Sequence, residues 1–92
     1  MQESRKRLQL AVAQVVKKHR ILSITKSSDE IGMGKSMWSD LEKGRKDPQL
    51  STLWRIAEGL NIKMHILIEE IEEDLGENFS FIEDFADGHL IV

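Results

Sequence analysis

The sequence predicts a small all-α protein of five short helices, followed by a C-terminal tail that is either extended or strand-like. Apolar residues recur at spacings of three and four in five successive segments, as the buried side of a helix requires. Glycine, asparagine or proline separates these segments at points where a helix has to end. The chain has 92 residues, which is enough for one compact domain and a tail.

The five predicted helices are joined by short connections. We expect them at about residues 4–19, 25–31, 35–43, 50–60 and 64–75. Gly32 and Gly44 follow the second and third helices, where a positive φ angle is typical of the residue past a helix end. Pro48 marks a loop before the fourth helix. An alternative for the second helix is a late start, because Ser27 and Glu30 have the spacing of a capping box.

The apolar sides of these helices give the predicted core. In the third helix, Met37, Trp38 and Leu41 are expected to point inward, so Trp38 is interpreted as a core side chain rather than a platform for stacking on nucleic acid. The expected buried side of the fourth helix consists of Leu50, Leu53, Ile56, Ala57 and Leu60. Trp54 lies beside that stripe, either at the edge of the core or against the fifth helix. Asn61 is expected to end the fourth helix.

Charge is distributed unevenly along the chain. Residues 1–63 contain all thirteen Lys and Arg and seven acidic residues, so their formal charge is +6. Residues 64–92 contain nine acidic residues and no Lys or Arg, which gives −9. This asymmetry favours a basic binding domain, placed at residues 1–76, with an acidic and aromatic tail at residues 77–92. A solvated helix face is the alternative explanation of the acids.

Composition also limits the functional class. The chain has no cysteine, and therefore neither a disulfide framework nor a thiolate metal site. No apolar stretch approaches the ~18 residues of a membrane span, and we expect a cytoplasmic protein with no membrane partner. His19, His65 and His89 are too far apart in sequence for a metal-ligand motif. We find no nucleophile arrangement or phosphate-binding loop, and expect no enzyme, no catalytic residues, no cofactor and no metal.

One run of residues resembles a known family. Its pattern consists of Ile31, Gly32, Met33, Trp38, Leu41, Glu42, Gly44, Pro48, Leu53, Ile56, Ala57, Leu60 and Leu67, and its most specific part is the string DLEKGRKDPQLSTLWRIAEGLNI. The pattern resembles the lambda-repressor-like (Cro/C1-type, XRE) helix-turn-helix DNA-binding domain over about residues 8–68. The resemblance implies that the third helix enters the major groove of double-stranded DNA with its N-terminal half on the base edges.

The resemblance also implies a set of DNA-binding residues. They are Thr25, Lys26, Lys35, Ser36, Ser39, Lys43, Arg45 and Lys46. The two serines of the third helix can donate to or accept from base edges, and Lys35 can donate to guanine or to a phosphate. The three cations after the third helix suit phosphate contacts, which set affinity and register but not sequence preference. The alternative for all the cations is an ordinary solvated surface.

Several positions depart from the family pattern. Ile24 stands where the family usually has a glutamine that braces the recognition helix. Ser27 places a hydroxyl where a core leucine is usual, so it needs a hydrogen-bond partner. Ser28 is small enough for a close helix crossing. Asp40 places an acid on the DNA-facing side, where it needs either a cytosine amino group or a neighbouring cation such as Lys43.

The first functional hypothesis is a homodimeric transcriptional regulator on a palindromic operator, since one recognition helix contacts only a few base pairs. The predicted dimer interface comprises Ile66, Ile71, Leu75 and Phe79. Ile71 and Leu75 are expected to extend beyond the core, so that both would lie in water in a monomer.

The second hypothesis is an antitoxin-like protein. Its helix-turn-helix domain would regulate its own operon, while the acidic aromatic tail would bind a partner protein. The alternative for the tail is that it folds back on its own domain or on a second copy. Asp87 and Gly88 favour a tight turn, and three alternatives follow for this segment: a short hairpin, an added strand or a partly ordered tail.

Overall fold

The computed structural model describes residues 2–82, which form five α-helices. These are α1 (Gln2–His19), α2 (Ile24–Glu30), α3 (Lys35–Glu42), α4 (Leu50–Gly59) and α5 (Met64–Leu75). The predicted all-α fold is confirmed, and the bounds agree with the sequence-based ones to within two residues. The predicted turn at Asp87 and Gly88 lies outside the described residues.

The long helix α1 organises the core. It packs against α3 and α5, while α2 packs against α3 and α4 against α5. The large apolar side chains that are at most 1% exposed are Val16, Trp38, Leu41, Ile56 and Leu67. They come from every helix except α2, so the core joins the α3 segment directly to the rest of the bundle. Trp38 is therefore a core residue, as predicted.

Positive φ angles mark the predicted helix ends. Gly32, Gly44 and Asn61 have φ angles of 67°, 73° and 60°. At Gly44 there is a second constraint, because a Cβ atom there would lie 2.6 Å from Cδ2 of Leu10 on α1. The absence of a side chain thus lets the end of α3 approach α1 closely.

The start of α2 is set by a side-chain cap. Ser23 is the N-cap, and its Oγ accepts a hydrogen bond of 3.1 Å from the backbone nitrogen of Lys26. The helix begins at Ile24. The late start at a capping box over residues 27–30 is therefore wrong, since Ser27 already lies in the helix interior.

Two buried serines fill the inner side of α2. The hydroxyl of Ser27 lies 3.5 Å from the carbonyl oxygen of Leu22, which gives it the partner that burial requires. The hydroxyl of Ser28, which is 1% exposed, donates to the carbonyl oxygen of Thr25 at 3.0 Å. Their small volume takes the place of larger apolar side chains where α2 packs against α3.

Two residues expected in the core are on the surface. Met37 is 37% exposed, because Trp38 and the charged residue Glu42 occupy the inner side of α3. Leu50 is 67% exposed, because the inner side of α4 starts at Thr52. In both helices the buried stripe is displaced from the one that apolar spacing alone indicates.

The second half of α5 is covered by α1. Ile71 is 3% exposed and belongs to the core, and Leu75 is half-buried against it. The expectation that both would lie in water in a monomer is therefore wrong for Ile71 and only partly right for Leu75. The reason is the length of α1, whose 18 residues run far enough to pack along α5.

The first residues after α5 fold back on α1. The guanidinium of Arg7 lies over the ring of Phe79, 5.2 Å from its centroid, and its Nη2 donates to the carbonyl oxygen of Leu75 at 3.0 Å. The hydroxyl of Ser4 lies 3.4 Å from the carbonyl oxygen of Ser80. For residues 77–82, the structure favours the alternative in which the tail contacts its own domain.

Candidate DNA-binding surface

The turn between α2 and α3 is closed by backbone hydrogen bonds. The backbone nitrogen of Gly32 donates to the carbonyl oxygen of Asp29 at 3.2 Å, and that of Met33 donates to Ser28 at 2.9 Å. The side chain of Met33 is buried, which anchors the turn in the core. The two helices are thus held at a fixed angle by both backbone and core contacts.

Helix α3 has one buried and one polar side. Trp38, Leu41 and Glu42 face the core, and these positions lie on one side of an α-helix. The opposite side carries Ser36, which is exposed, and Ser39, which is half-buried. A helix with a polar outer side and an apolar inner side fits the major groove, which is about 12 Å wide.

The C-terminal turn of α3 contains a buried ionic cluster. Glu42 is 7% exposed, and its Oε2 accepts a hydrogen bond of 2.7 Å from Nε1 of Trp38. Arg20 donates to both carboxylate oxygens, from Nε to Oε2 at 2.6 Å and from Nη2 to Oε1 at 3.1 Å. Its hydrogen bond to Glu42 raises the pKa of the Arg20 guanidinium above its ordinary value. A buried carboxylate needs this degree of pairing to be tolerated.

The same guanidinium reaches the loop before α2. Nη1 of Arg20 donates to the carbonyl oxygen of Leu22 at 2.7 Å. Arg20 therefore connects three segments: the end of α1, the loop between α1 and α2, and the last turn of α3. We infer that this cluster fixes the orientation of α3 relative to the rest of the domain.

Sequence reasoning missed this cluster, although the sequence contained a signal for it. A buried tryptophan needs an acceptor for its Nε1, and Glu42 lies four residues after Trp38, on the same side of the helix. The buried glutamate in turn requires a cation. No local pattern singles out Arg20 as that cation, because it lies 22 residues before Glu42.

The loop after α3 presents three exposed cations, Lys43, Arg45 and Lys46. Arg45 lies near Asp40, with 3.8 Å between Nη1 and Oδ1, and its backbone nitrogen donates to the carbonyl oxygen of Asp40 at 2.9 Å. The cation that accompanies Asp40 is therefore Arg45, and not Lys43 as expected. A contact this long and exposed is weak, so Arg45 can exchange Asp40 for a phosphate at little cost.

The remaining predicted contacts lie at the start of α2, where Thr25 and Lys26 are exposed. Lys35, the first residue of α3, is exposed as well. The structure thus distributes the eight predicted residues over the first turn of α2, the outer side of α3 and the loop that follows. All of them are accessible, with Ser39 the most buried of the set; their contacts with DNA stay a prediction.

A comparison with protein families agrees with this geometry. A helix-turn-helix family model matches residues 12–67. The chain belongs to the Cro/C1-type (XRE) helix-turn-helix family. This confirms the resemblance seen in the sequence and makes the protein a DNA-binding regulator of the XRE type, in a family that is not an enzyme family. No curated protein and no solved structure matches the chain.

The described part of this XRE-type domain offers neither a membrane-spanning helix nor a metal-binding cluster. None of its described helices is long and apolar enough to cross a membrane. Residues 2–82 also contain no group of three or more His, Asp or Glu side chains placed to hold a metal ion.

Proposed function

We propose that the protein is a homodimeric transcriptional regulator that binds a palindromic operator through α3. The observation that carries this proposal is the α2–turn–α3 unit, in which a polar outer side of α3 is followed directly by a basic loop. Two copies related by a two-fold axis would place their recognition helices on half-sites about 34–36 Å apart. A transcriptional regulator needs access to the DNA, so the proposal includes a cytoplasmic location.

The proposed contacts divide by chemistry. Lys35, Ser36 and Ser39 contact base edges, and the exposed cations of the following loop contact phosphates. Thr25 and Lys26 complete the surface from the start of α2. The excess of basic residues in residues 1–63 supports this assignment, since phosphate neutralisation supplies a large share of the affinity for DNA.

The dimer surface predicted from the sequence has to be reduced. Ile71 lies in the core of a single copy and is unavailable to a second one. Ile66, Leu75 and Phe79 are half-buried, so they form the interface only if the two-fold axis lies at α5. In this proposal residues 1–76 form the DNA-binding and dimerisation unit, and residues 77–92 form the tail.

An antitoxin-like function is the second candidate. The observation that favours it is the exposure of Phe81 and Ile82, which is 38% and 79%. Apolar side chains this accessible at the start of an acidic tail suit contact with a partner protein.

Selection of bound sequences from random double-stranded DNA tests the proposed function. The full chain should enrich a motif with two-fold symmetry, and the variant Ser36→Ala should relax the preference at one position of each half-site. Lys18→Ala, which removes an exposed cation that faces Glu70 on α5, serves as the matched control and should select the same motif as the wild type. Failure to enrich any motif, or enrichment of one isolated half-site, would contradict the proposal.

A further inference from the structure

Helix α4 presents an exposed apolar side. Leu50 and Trp54, one turn apart, are 67% and 52% exposed. Trp54 lies between two shallow, open grooves, one also lined by Ile62 and Met64 and the other by Leu50 and Arg55. An exposed apolar cluster with an aromatic centre is typical of an interaction site. We call this the α4 surface, formed by Leu50, Trp54, Arg55, Glu58, Ile62 and Met64.

We propose that the α4 surface binds a second copy of this chain, with the two α4 helices antiparallel about a two-fold axis. This inference rests on the proposed function, because it names the surface that forms the homodimer. A two-fold contact requires that one surface be complementary to itself. On the α4 surface, a two-fold axis would place the exposed Trp54 of each copy beside the shallow grooves of the other.

The charges on α4 support a second copy as the occupant. Arg55 and Glu58 are exposed, and within residues 2–82 neither has an ion-pair partner. In an antiparallel arrangement, Arg55 of each copy faces Glu58 of the other. The same pairing brings Leu50 level with the groove beside Ile62 and Met64 of the second copy. Because of the two-fold symmetry, the ion pair between Arg55 and Glu58 forms twice, which favours this register.

The competing surface at the end of α5 has the wrong charge. Its acidic residues are Glu69, Glu70, Glu72, Glu73 and Asp74. Two copies joined there would bring like charges together at short range, which is unfavourable. Ile71, an apolar residue of the interface predicted on α5, is buried within one copy and cannot offset this repulsion. The α4 surface has one charge of each sign and carries no such penalty.

The position of α4 also fits the DNA-binding geometry. Leu50 begins α4 soon after the loop that carries Lys43, Arg45 and Lys46. A two-fold axis beside α4 would therefore place the basic loops of both copies towards the centre of the operator. An axis at the C-terminal end of α5 would instead place the acidic residues of α5 there.

Sedimentation velocity of the full chain over a range of concentrations is the first test. We expect a dimer, and Trp54→Glu should raise its dissociation constant at least about 30-fold, as substitution of a central interface tryptophan does. Ile21→Glu is the matched control, because Ile21 is an apolar residue that is 93% exposed on another part of the surface. It should dimerise like the wild type. Circular dichroism shows whether each variant is folded.

A charge exchange provides a second test that does not depend on Trp54. Arg55→Glu and Glu58→Arg should each weaken the dimer, because each creates like-charge contacts across the two-fold axis. The double variant Arg55→Glu, Glu58→Arg should restore the dimer, which a surface without symmetric pairing would not do. Dimerisation should also not strengthen with salt, whereas an interface among the α5 acids would strengthen.

Several outcomes would overturn the inference. If Leu75→Glu gives a monomer while the α4 variants dimerise normally, the homodimer stands but its surface is on α5. If Ile91→Asp exposes Trp54 to a fluorescence quencher in an otherwise monomeric protein, the chain's own tail occupies the surface. If the wild type is monomeric at high micromolar concentration and binds its operator as one copy, both this inference and the proposed homodimer are wrong.

Discussion

Trp38 and Glu42 are joined by a hydrogen bond of 2.7 Å from the indole nitrogen to a carboxylate oxygen, one turn further along α3. Both side chains are buried, and Arg20 completes the pairing of the carboxylate. The recognition helix therefore depends on an ionic contact with α1 as well as on apolar packing.

Glu42→Gln should be strongly destabilising. It leaves Arg20 without its counter-charge in a partly buried position, and removal of one partner from a buried ion pair costs roughly 3–5 kcal/mol. Urea unfolding measures the loss. Asp40→Asn, which alters only the exposed contact with Arg45, is the control and should cost less than about 1 kcal/mol. Equal stability of Glu42→Gln and the wild type would contradict a structural role for the cluster.

The two tryptophans should differ sharply in their effect on folding. Trp38→Ala should cost roughly 3–5 kcal/mol, which approaches the whole stability of a small domain. Trp54→Ala removes a side chain that is 52% exposed, so the free energy of unfolding should change little in the monomer. Thermal unfolding followed by circular dichroism tests both. A folded Trp38→Ala variant that only loses DNA affinity would instead indicate stacking on nucleic acid.

DNA binding should depend strongly on salt. The logarithm of affinity should fall linearly with the logarithm of salt concentration, by about 0.9 for each neutralised phosphate. Lys43→Ala and Arg45→Ala should each reduce that slope by about one and weaken all DNA sequences alike. Fluorescence anisotropy at several salt concentrations gives the slope, with Lys18→Ala as the control. Unchanged slopes for both variants would remove these two residues from the proposed phosphate contacts.

Met37 should contribute little to stability, although it was expected in the core. Met37→Ala should cost less than about 1 kcal/mol because the side chain is exposed, whereas Leu41→Ala should cost about 2–5 kcal/mol. Urea unfolding of the two variants makes the comparison. An apolar side chain at the edge of the DNA-facing side of α3 suits a thymine methyl group. A large loss of stability in Met37→Ala would show that the side chain is packed after all.

Stability should fall in acid through Glu70. Hydrogen bonds from His19 and Lys18 lower the pKa of Glu70 below its usual value. Because its pKa is lower in the folded state, the ionised Glu70 stabilises the fold fully above the ordinary glutamate pKa of about 4.3. This stabilisation is lost as the pH falls through the lowered value. The difference in thermal stability between the wild type and Glu70→Gln should therefore disappear in this acidic range. A difference that persists below it would assign the effect to packing.

The fold could be predicted because its signals are local. Apolar spacing located the helices, and Gly32, Gly44 and Asn61 marked their ends through the positive φ angles that the structure shows. Spacing does not say which neighbours of a stripe are covered by another helix. That depends on long-range packing, and for this reason the exposed Leu50 was expected in the core and the buried Ile71 at the surface.

The candidate site, too, was predicted only in part. The helix-turn-helix and its exposed cations follow from residue order, which is also what the family model recognises. The contact between Arg20 and Glu42 joins the residue that follows α1 to a residue of α3, 22 positions later, and no local pattern records it. It can be predicted only by asking which hydrogen-bond partner each buried polar atom requires, starting with the indole nitrogen of Trp38.

The contact between Ser4 and Ser80 brings the first and last described segments within 3.4 Å of each other. The described backbone therefore almost closes on itself, so a short linker can join its two ends. A circular permutant in which a linker joins the segment at Ser80 to the start of α1, with new ends between Lys46 and Asp47, should retain all five helices. A cyclised chain should resist thermal unfolding better than the linear one, since joining the ends lowers the conformational entropy of the unfolded state.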